Sequence, residues 1–173
     1  MKKLTCLLYI IYNMVSPAFA QPVLKKYVIA DSRVDIMVPV NYMPLTDEKN
    51  RIKAFQPDAR KNSSAILSFW LADGNISDND IPAFTDDQLK LAKQDDESFK
   101  YLDDGIYLQD GKNIGYIKFS TSESGKKFFN YIFFISDGEK PLVFSFTCRF
   151  GERKKWETEI DNIANSIRIV ERS

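Results

Sequence analysis

The sequence contains no histidine, and this absence removes several classes of active site. Serine and cysteine nucleophiles are commonly activated by an imidazole, so Ser-His-Asp and Cys-His catalysis are excluded. Zinc and copper sites that depend on an imidazole ligand are excluded for the same reason. We therefore predict no catalytic, cofactor-binding or metal-ligating residues, and we expect that the chain is not an enzyme and needs no cofactor.

Cysteine is scarce as well, with two residues in the chain. Cys6 lies in an N-terminal apolar run. Cys148 alternates with Phe144 and Phe146 on the apolar face of a predicted strand, so we expect a buried, unreactive thiol. A mature chain with one thiol cannot close an internal disulfide, so its stability must come from its core.

Long apolar runs are confined to the N-terminus. Two lysines precede an apolar run at 4–11, and a small-x-small cleavage pattern follows at 18–20. A permanent membrane helix needs about 20 apolar residues, more than this run offers. We predict a signal peptide over residues 1–20, with an uncleaved anchor as the alternative, and a single domain over 21–173. The expected location is the periplasm or the medium, as a periplasmic or secreted protein.

Basic charge is not in excess, because 24 Lys and Arg residues face 24 Asp and Glu residues and two of the lysines belong to the signal peptide. Proteins that bind nucleic acid need a basic surface to displace counterions. Anionic lipids likewise attract clustered basic side chains. We therefore predict no nucleic-acid partner and no stable membrane insertion after the signal peptide is removed.

The rest of the chain is rich in strand patterns. Alternating apolar residues predict strands over 34–38 and 51–56, and the apolar run at 64–72 predicts a central strand covered on both faces. A meander of four strands follows, separated by Asp-Gly or Ser-Gly pairs that favour tight hairpins. These strands are predicted at 106–109, 114–121, 127–135 and 142–150.

Two helices complete the pattern. Thr85, with Gln88 three residues later, resembles a capping box and predicts a surface helix that runs from there to about Phe99. Near the C-terminus, apolar residues at helical spacing predict an amphipathic helix packed on the sheet. These residues are Trp156, Ile160, Ile163, Ala164 and Ile167. The expected fold class is α+β, with an antiparallel β-sheet flanked by helices.

Three patterns resemble functional motifs. Asp73–Asp80 begins like a calcium loop, but the positions that need glycine and glutamate hold Asp78 and Phe84, so a solvated loop is the simpler interpretation. Ser124 and Lys127 match Ser-x-x-Lys across a predicted turn, where both side chains would be solvated. Paired carboxylates for glycoside hydrolysis would need a raised pKa, which solvated acidic runs do not provide. These runs are Asp86-Asp87, Asp95-Asp96-Glu97 and Asp103-Asp104.

The strand predicted at 127–135 is apolar on both faces, through Phe128, Phe129, Tyr131, Phe133 and Phe134. Such a strand needs cover on both sides, from other layers of the fold or from a partner. This is the one sequence feature that hints at binding, and a three-layer fold accounts for it without a partner.

The C-terminal pattern resembles a known family. Phe144-Ser-Phe-Thr-Cys148, the helical Trp156 and the closing Ser166-Ile-Arg-Ile169 are similar to the end of PsbP-like domains, which include bacterial DcrB-like exported proteins. Val34–Pro39 resembles their opening strand. The resemblance implies an α/β/α sandwich and an accessory or binding role without a common enzymatic activity. Because these are packing positions, no site residue is carried over.

These observations predict an exported, non-enzymatic accessory protein of the cell envelope that acts through a protein partner of unknown identity. One form of this hypothesis is an immunity-type protein that neutralises an incoming toxin. The alternative is a small-molecule or calcium-binding periplasmic module that uses the loop at Asp73–Asp80.

Overall fold

The computed structural model describes residues 22–31, 33–57 and 64–170, and the signal peptide predicted over 1–20 lies outside them. Neither helix in the described ranges has the length and hydropathy to cross a bilayer. The elements in chain order are β1 (Leu24–Ile29), β2 (Val34–Pro39), β3 (Tyr42–Thr46), β4 (Ile52–Pro57), β5 (Ile66–Leu71), α1 (Ile81–Asp95), β6 (Lys100–Gln109), β7 (Lys112–Glu123), β8 (Lys126–Ser136), β9 (Pro141–Arg149), α2 (Arg153–Asn165) and β10 (Arg168–Ile169).

The strands form two antiparallel sheets. One sheet has three strands in the order β1-β2-β10, and the other has seven in the order β3-β4-β5-β9-β8-β7-β6. The meander of the second half accounts for four adjacent strands of the larger sheet, as its Gly-containing turns predict. The α+β fold class, with an antiparallel sheet flanked by helices, is confirmed.

The inner face of the seven-stranded sheet packs against α2 and the three-stranded sheet. A row of aromatic residues crosses β5, β9, β8 and β7 on this face, namely Phe69, Phe144, Phe133 and Tyr116. The rings of Phe133 and Phe144 stack with centroids 4.6 Å apart, a geometry that adds about 1 kcal/mol to the burial of the rings. From α2, Trp156 is buried against the same core. The predicted amphipathic helix is thus confirmed, except that it ends at Asn165 and the buried Ile167 lies beyond it.

The outer face of the same sheet packs against α1. Ile81 of this helix joins a second core with Ile117, Phe134 and Val143. Phe133 and Phe134 therefore lie in different cores, and the strand that the sequence predicts to be apolar on both faces is covered on both faces.

The start of α1 differs from its prediction. The helix begins at Ile81, with a proline in its first turn, and it ends at Asp95 rather than Phe99. Proline fits the first turn because its missing N–H has no helical partner there. Thr85 is not a cap: it is buried, and its hydroxyl donates to the carbonyl oxygen of Ile81 at 2.8 Å. The capping box predicted at Thr85 is therefore wrong.

The β1–β2 turn contains two consecutive residues with left-handed backbone geometry. Ala30 has φ 52° and Asp31 has φ 55°. The backbone N–H of Arg33 donates to the Ala30 carbonyl oxygen at 3.2 Å and closes the turn. A left-handed conformation costs a residue with a Cβ about 1–2 kcal/mol, a cost that glycine avoids.

Ala30→Gly is therefore expected to stabilise the protein by about 0.5 kcal/mol, after the greater chain entropy of glycine in the unfolded state is deducted. Urea unfolding measures this difference. Ala92→Gly in the interior of α1 is the matched control, and it should destabilise by about 1 kcal/mol. Destabilisation by both substitutions would contradict the strained turn.

Candidate functional site

A groove opens where β4 and β5 separate. In the described residues the two strands pair at two positions, Ala54 with Ser68 and Phe55 with Leu67. By contrast, β5 pairs with β9 along its whole length, from Ile66 to Leu71. Past the two shared pairs the facing strand edges diverge, and they enclose a volume of about 500 Å³.

Apolar side chains line this β4–β5 groove. Ile29 and Leu142 are buried and contribute to its lining, together with Phe69. Two large apolar residues of the lining are open to solvent: Trp70 is 46% exposed and Val28 is 51% exposed. An indole exposed to this extent next to an apolar groove leaves much of its surface available for contact with another molecule.

The rim of the groove is charged. Arg51 is held by Asp47, with Nη2 2.8 Å from the carboxylate oxygen Oδ2. The Arg51 backbone N–H also donates to Asp47, and this bond, with further help from the guanidinium, lowers the pKa of the Asp47 carboxyl despite its partial desolvation. Lys53 also lines the groove and is exposed, and it forms no ion pair with a described residue. Within the part of the chain that the structure describes, Lys53 is therefore the cation of the rim without a carboxylate partner.

The exposure of Trp70 corrects one prediction. Residues 64–72 were expected to form a central strand covered on both faces, and β5 does occupy an interior position in the sheet. Its outer face, however, is open at Trp70, which pairs across with Val143. The sequence sign of this exposure is a tryptophan near the end of an apolar run, and a tryptophan in that position is equally typical of a protein core.

A second polar cluster lies beneath α2 on the inner face. Lys118 is 8% exposed, and its ammonium group lies 3.1 Å from Glu157 Oε1 and 3.4 Å from Asp161 Oδ1. The same ammonium lies 4.5 Å from the ring centroid of Tyr131, whose hydroxyl donates to Asp161 at 2.8 Å. Burial and the Asp161 charge raise the pKa of Tyr131 above its ordinary value. The groups are engaged with one another, so the cluster fastens α2 to the sheet.

The predicted loop at Asp73–Asp80 directs two of its carboxylates to protein groups. Asp78 accepts hydrogen bonds from the backbone N–H and the side-chain amide of Asn113, each at 2.9 Å. Asp80 accepts from the hydroxyl and from the backbone N–H of Ser77, and these bonds lower the pKa of its carboxyl. Across the described residues, no group of three or more Asp, Glu or Cys side chains could hold a metal ion.

The remaining sequence motifs lie apart from the groove. Ser124 lies in the exposed β7–β8 turn, and the Lys127 ammonium sits 3.8 Å from the ring centroid of Phe150 rather than on the serine. The acidic runs are dispersed over the exposed face of α1, the segment after it, and the edge strand β6. Since β6 begins at Lys100, Asp103 and Asp104 lie in a strand and not in the polar run that was expected around the helix.

Cys148 is fully buried on the inner face, as its alternation with aromatic residues predicts. Burial, with a smaller contribution from the Glu152 charge, raises the pKa of its thiol to about 12. Since the thiolate is the reactive form, the native thiol should react with a disulfide reagent at about pH 8 at least about a hundredfold more slowly than the unfolded protein. Absorbance of the released thiolate measures both rates, and equal rates would contradict the burial of Cys148.

No family model and no curated protein sequence matches the chain. Solved structures do match. LpqN of Mycobacterium tuberculosis, described as involved in cell envelope biogenesis, has a TM-score of 0.64 at 16% identity, over 86% of this chain and 91% of its own.

Two further structures have similar folds. The cyanobacterial PsbP protein of Synechocystis sp. PCC 6803 has a TM-score of 0.59 at 10% identity, over 88% of this chain and 96% of its own. PA94 of Pseudomonas aeruginosa has a TM-score of 0.56 at 13% identity, over 87% of this chain and 98% of its own. Likeness at such identities speaks to the fold, and the chain has the PsbP-like fold that its C-terminal pattern resembles.

Proposed function

We propose that the chain is an exported, non-catalytic accessory protein of the cell envelope that acts by binding another protein at the β4–β5 groove. The observation that carries this proposal is Trp70, which is 46% exposed beside an apolar groove. Tryptophan is enriched among the residues that dominate protein interfaces, because it offers a large rigid surface at a small cost in side-chain entropy.

Other features support a binding role over a catalytic one. The chain has no histidine to act as a base. Lys118, the charged residue buried under α2, is bonded to Glu157 and Asp161, and it lies on the inner face away from the groove rim. The N-terminal sequence predicts export, and LpqN, a protein of this fold, is involved in cell envelope biogenesis in its own organism. An immunity-type role, with a toxin as the partner, is the narrower form of this proposal.

Affinity capture tests the proposal. The full chain with a C-terminal tag would be expressed in its source cells, recovered from envelope and culture fractions, and analysed by mass spectrometry. Trp70→Ala should reduce recovery of the partner at least about thirtyfold, which corresponds to the 2 kcal/mol typical of an interface hot spot. Leu108→Ala is the matched control, because Leu108 is an apolar residue that is 68% exposed on the distant edge strand β6.

A partner recovered in stoichiometric amounts by wild type and by Leu108→Ala, and lost with Trp70→Ala, would support the proposal. Equal recovery by all three proteins would place the interface elsewhere and overturn the role of the groove. If no protein were recovered, either from cells that express the chain at its natural level or from cells under toxin challenge, the binding function itself would be overturned.

A further inference from the structure

We infer that the β4–β5 groove receives an extended segment of the partner as an added β-strand, with acidic side chains of that segment facing Lys53. This inference rests on the proposed binding function and specifies its mode. It concerns the backbone edges of the groove as well as its apolar lining.

The two strand edges that face the groove are open toward each other. In an antiparallel sheet, alternate residues direct their N–H and C=O groups to opposite neighbours. β4 uses one edge for β3, and β5 uses one edge for β9. The other edge of each strand continues beyond the last pair that joins β4 to β5, through residues 52–53 of β4 and residues 69–71 of β5.

An extended chain is the element that satisfies such a pair of edges. Strand addition supplies main-chain hydrogen bonds for affinity and leaves alternate side chains for specificity. Residues 69–71 span about 10 Å at ~3.3 Å per residue, so the edge of β5 suits an added segment of about three residues. A groove of about 500 Å³ that is open to solvent offers room for a segment of that size.

The lining defines the side chains of that segment. Ile29, Phe69 and Leu142 are apolar, and they favour small or branched apolar side chains on one face of the added strand. On the rim, Arg51 is already engaged by Asp47, whereas Lys53 has no ionic partner among the described residues. Like charges opposite each other destabilise a sheet and opposite charges stabilise it, so the segment should carry an acidic residue toward Lys53.

The groove also borders the strained turn of the fold. Ala30 and Asp31, both with positive φ, are part of its lining. Residues held in sparsely populated backbone conformations cluster at ligand clamps and switch regions. The strained backbone at Ala30 and Asp31 therefore supports a partner contact at this end of the groove.

Two synthetic peptides of about seven residues test the inference with the purified protein. One alternates valine with glutamate, and the other alternates valine with lysine. The glutamate peptide should bind and shift the emission of the half-exposed Trp70 to shorter wavelength, whereas the lysine peptide should bind at least about tenfold more weakly. Lys53→Glu should invert this preference. Lys100→Glu, the same reversal on the exposed start of β6, should leave it unchanged.

Hydrogen exchange distinguishes strand addition from apolar docking. An added strand should slow exchange of backbone amides both at 52–53 and at 69–71, whereas a peptide held by side chains alone would shift Trp70 emission without this protection. Binding that inverts with Lys53→Glu and protects both edges supports the inference.

The inference is overturned by an absence of glutamate-peptide binding up to about 1 mM, or by binding without protection of the two edges. Protection confined to the open edge of β6, or dimerisation of the protein without peptide, would also overturn it. Partner capture that depends on Trp70 but is indifferent to Lys53→Glu would leave the proposed function standing while the acidic contact at Lys53 fails.

Discussion

Gly115→Ala is expected to destabilise the protein by about 2–3 kcal/mol, which makes it one of the most damaging single substitutions outside the inner core. A Cβ at Gly115 would lie 1.9 Å from the Thr85 hydroxyl oxygen and 3.2 Å from Cγ2 of Ile81. Neither neighbour can retreat easily, because Thr85 and Ile81 are both buried and the Thr85 hydroxyl is bonded to the Ile81 carbonyl. The added methyl group must therefore push α1 away from β7.

Urea unfolding of a double-mutant cycle measures this contact. Thr85→Ala alone should cost about 1 kcal/mol, because a buried hydrogen bond is lost. In the double variant the hydroxyl is gone and the closest remaining atoms are 3.2 Å away, so the combined cost should be smaller than the sum of the two single costs by about 1–2 kcal/mol.

Gly151→Ala is the control for this cycle, because a Cβ at Gly151 meets no atom within 4 Å and the residue has no positive φ. Its effect should stay within about 0.5 kcal/mol. If Gly115→Ala cost no more than this control, α1 would have to sit farther from β7 than the structure places it.

The close contact at Gly115 bears on the candidate site. α1 packs on β6, β7 and β8, with β7 contributing the largest share of its contacts. Its core partners on the outer face are residues such as Ile117 and Phe134. Trp70, on the same face of β5, remains 46% exposed. α1 therefore covers the outer face of the sheet at β6, β7 and β8, and the outer face of β5 beside the groove stays open at Trp70.

The regular part of the fold was predictable because its signals are local. In β9, alternate residues from Leu142 to Cys148 are buried on the inner face, and a turn glycine stands before that strand and before β7 and β8. In α2, the spacing of Trp156 and Ile160 gives a buried stripe. Period and turn chemistry are readable within a few residues, so the meander and the terminal helix follow from sequence.

The three-stranded sheet, the edge strand β3 and the first part of the edge strand β6 were not predicted, although the sequence predicts a strand over the last residues of β6, at 106–109. β1 is mostly exposed and contains two adjacent lysines, so it lacks an alternating pattern. β10 has two residues and depends on pairing with β2. β6 carries Asp103 and Asp104 in its middle. Charged residues on an edge strand prevent pairing with other chains, but they also interrupt the apolar alternation by which a strand is predicted.

The candidate site could not be predicted because it arises from tertiary geometry. The divergence of β4 from β5 is not encoded by the composition of either strand. Lys53 would have been read as an ordinary surface residue, and Trp70 as core. The burial of Lys118 is similarly hidden, because its carboxylate partners are 39 and 43 residues away along the chain.

Lys118→Ala is expected to destabilise the protein by about 2–3 kcal/mol. Removal of one member of a buried ion pair leaves the other uncompensated and typically costs about 3–5 kcal/mol. The cost here should be lower, because the side chain of Glu157 is 23% exposed and that of Asp161 is 42% exposed. The variant also leaves two carboxylates of α2 facing each other and the Tyr131 ring without its cation.

Lys118→Met separates the charge from the packing. Methionine keeps an unbranched apolar stem over the Tyr131 ring, but like alanine it leaves Glu157 and Asp161 without the lysine charge. We expect Lys118→Met to cost about 1–2 kcal/mol at pH 7, less than Lys118→Ala because the packing of the stem is kept, as measured by urea unfolding. Lys154→Met, on the exposed face of α2, is the control for loss of one lysine from the protein.

The pH profile identifies the charge interaction directly. Burial raises the pKa of the Glu157 carboxyl, but hydrogen bonds from Arg153 and Lys118, with their charges, outweigh it and hold the pKa below its ordinary value of 4.5. A carboxyl whose pKa is lower in the folded than in the unfolded state stabilises the fold above the unfolded pKa. That contribution is lost as the pH falls through the folded pKa.

Acidification below about pH 4.5 should therefore reduce the stability of the wild-type protein. It should reduce the stability of Lys118→Met by a smaller amount, because only Arg153 then binds the Glu157 carboxylate. Lys154→Met should keep the wild-type slope. If Lys118→Met matched the wild-type pH slope and kept near-native stability at neutral pH, the stem of Lys118 and not its charge would be what joins α2 to the sheet. A flatter acid limb, with a loss at neutral pH close to that of Lys118→Ala, would instead assign the lysine its electrostatic role.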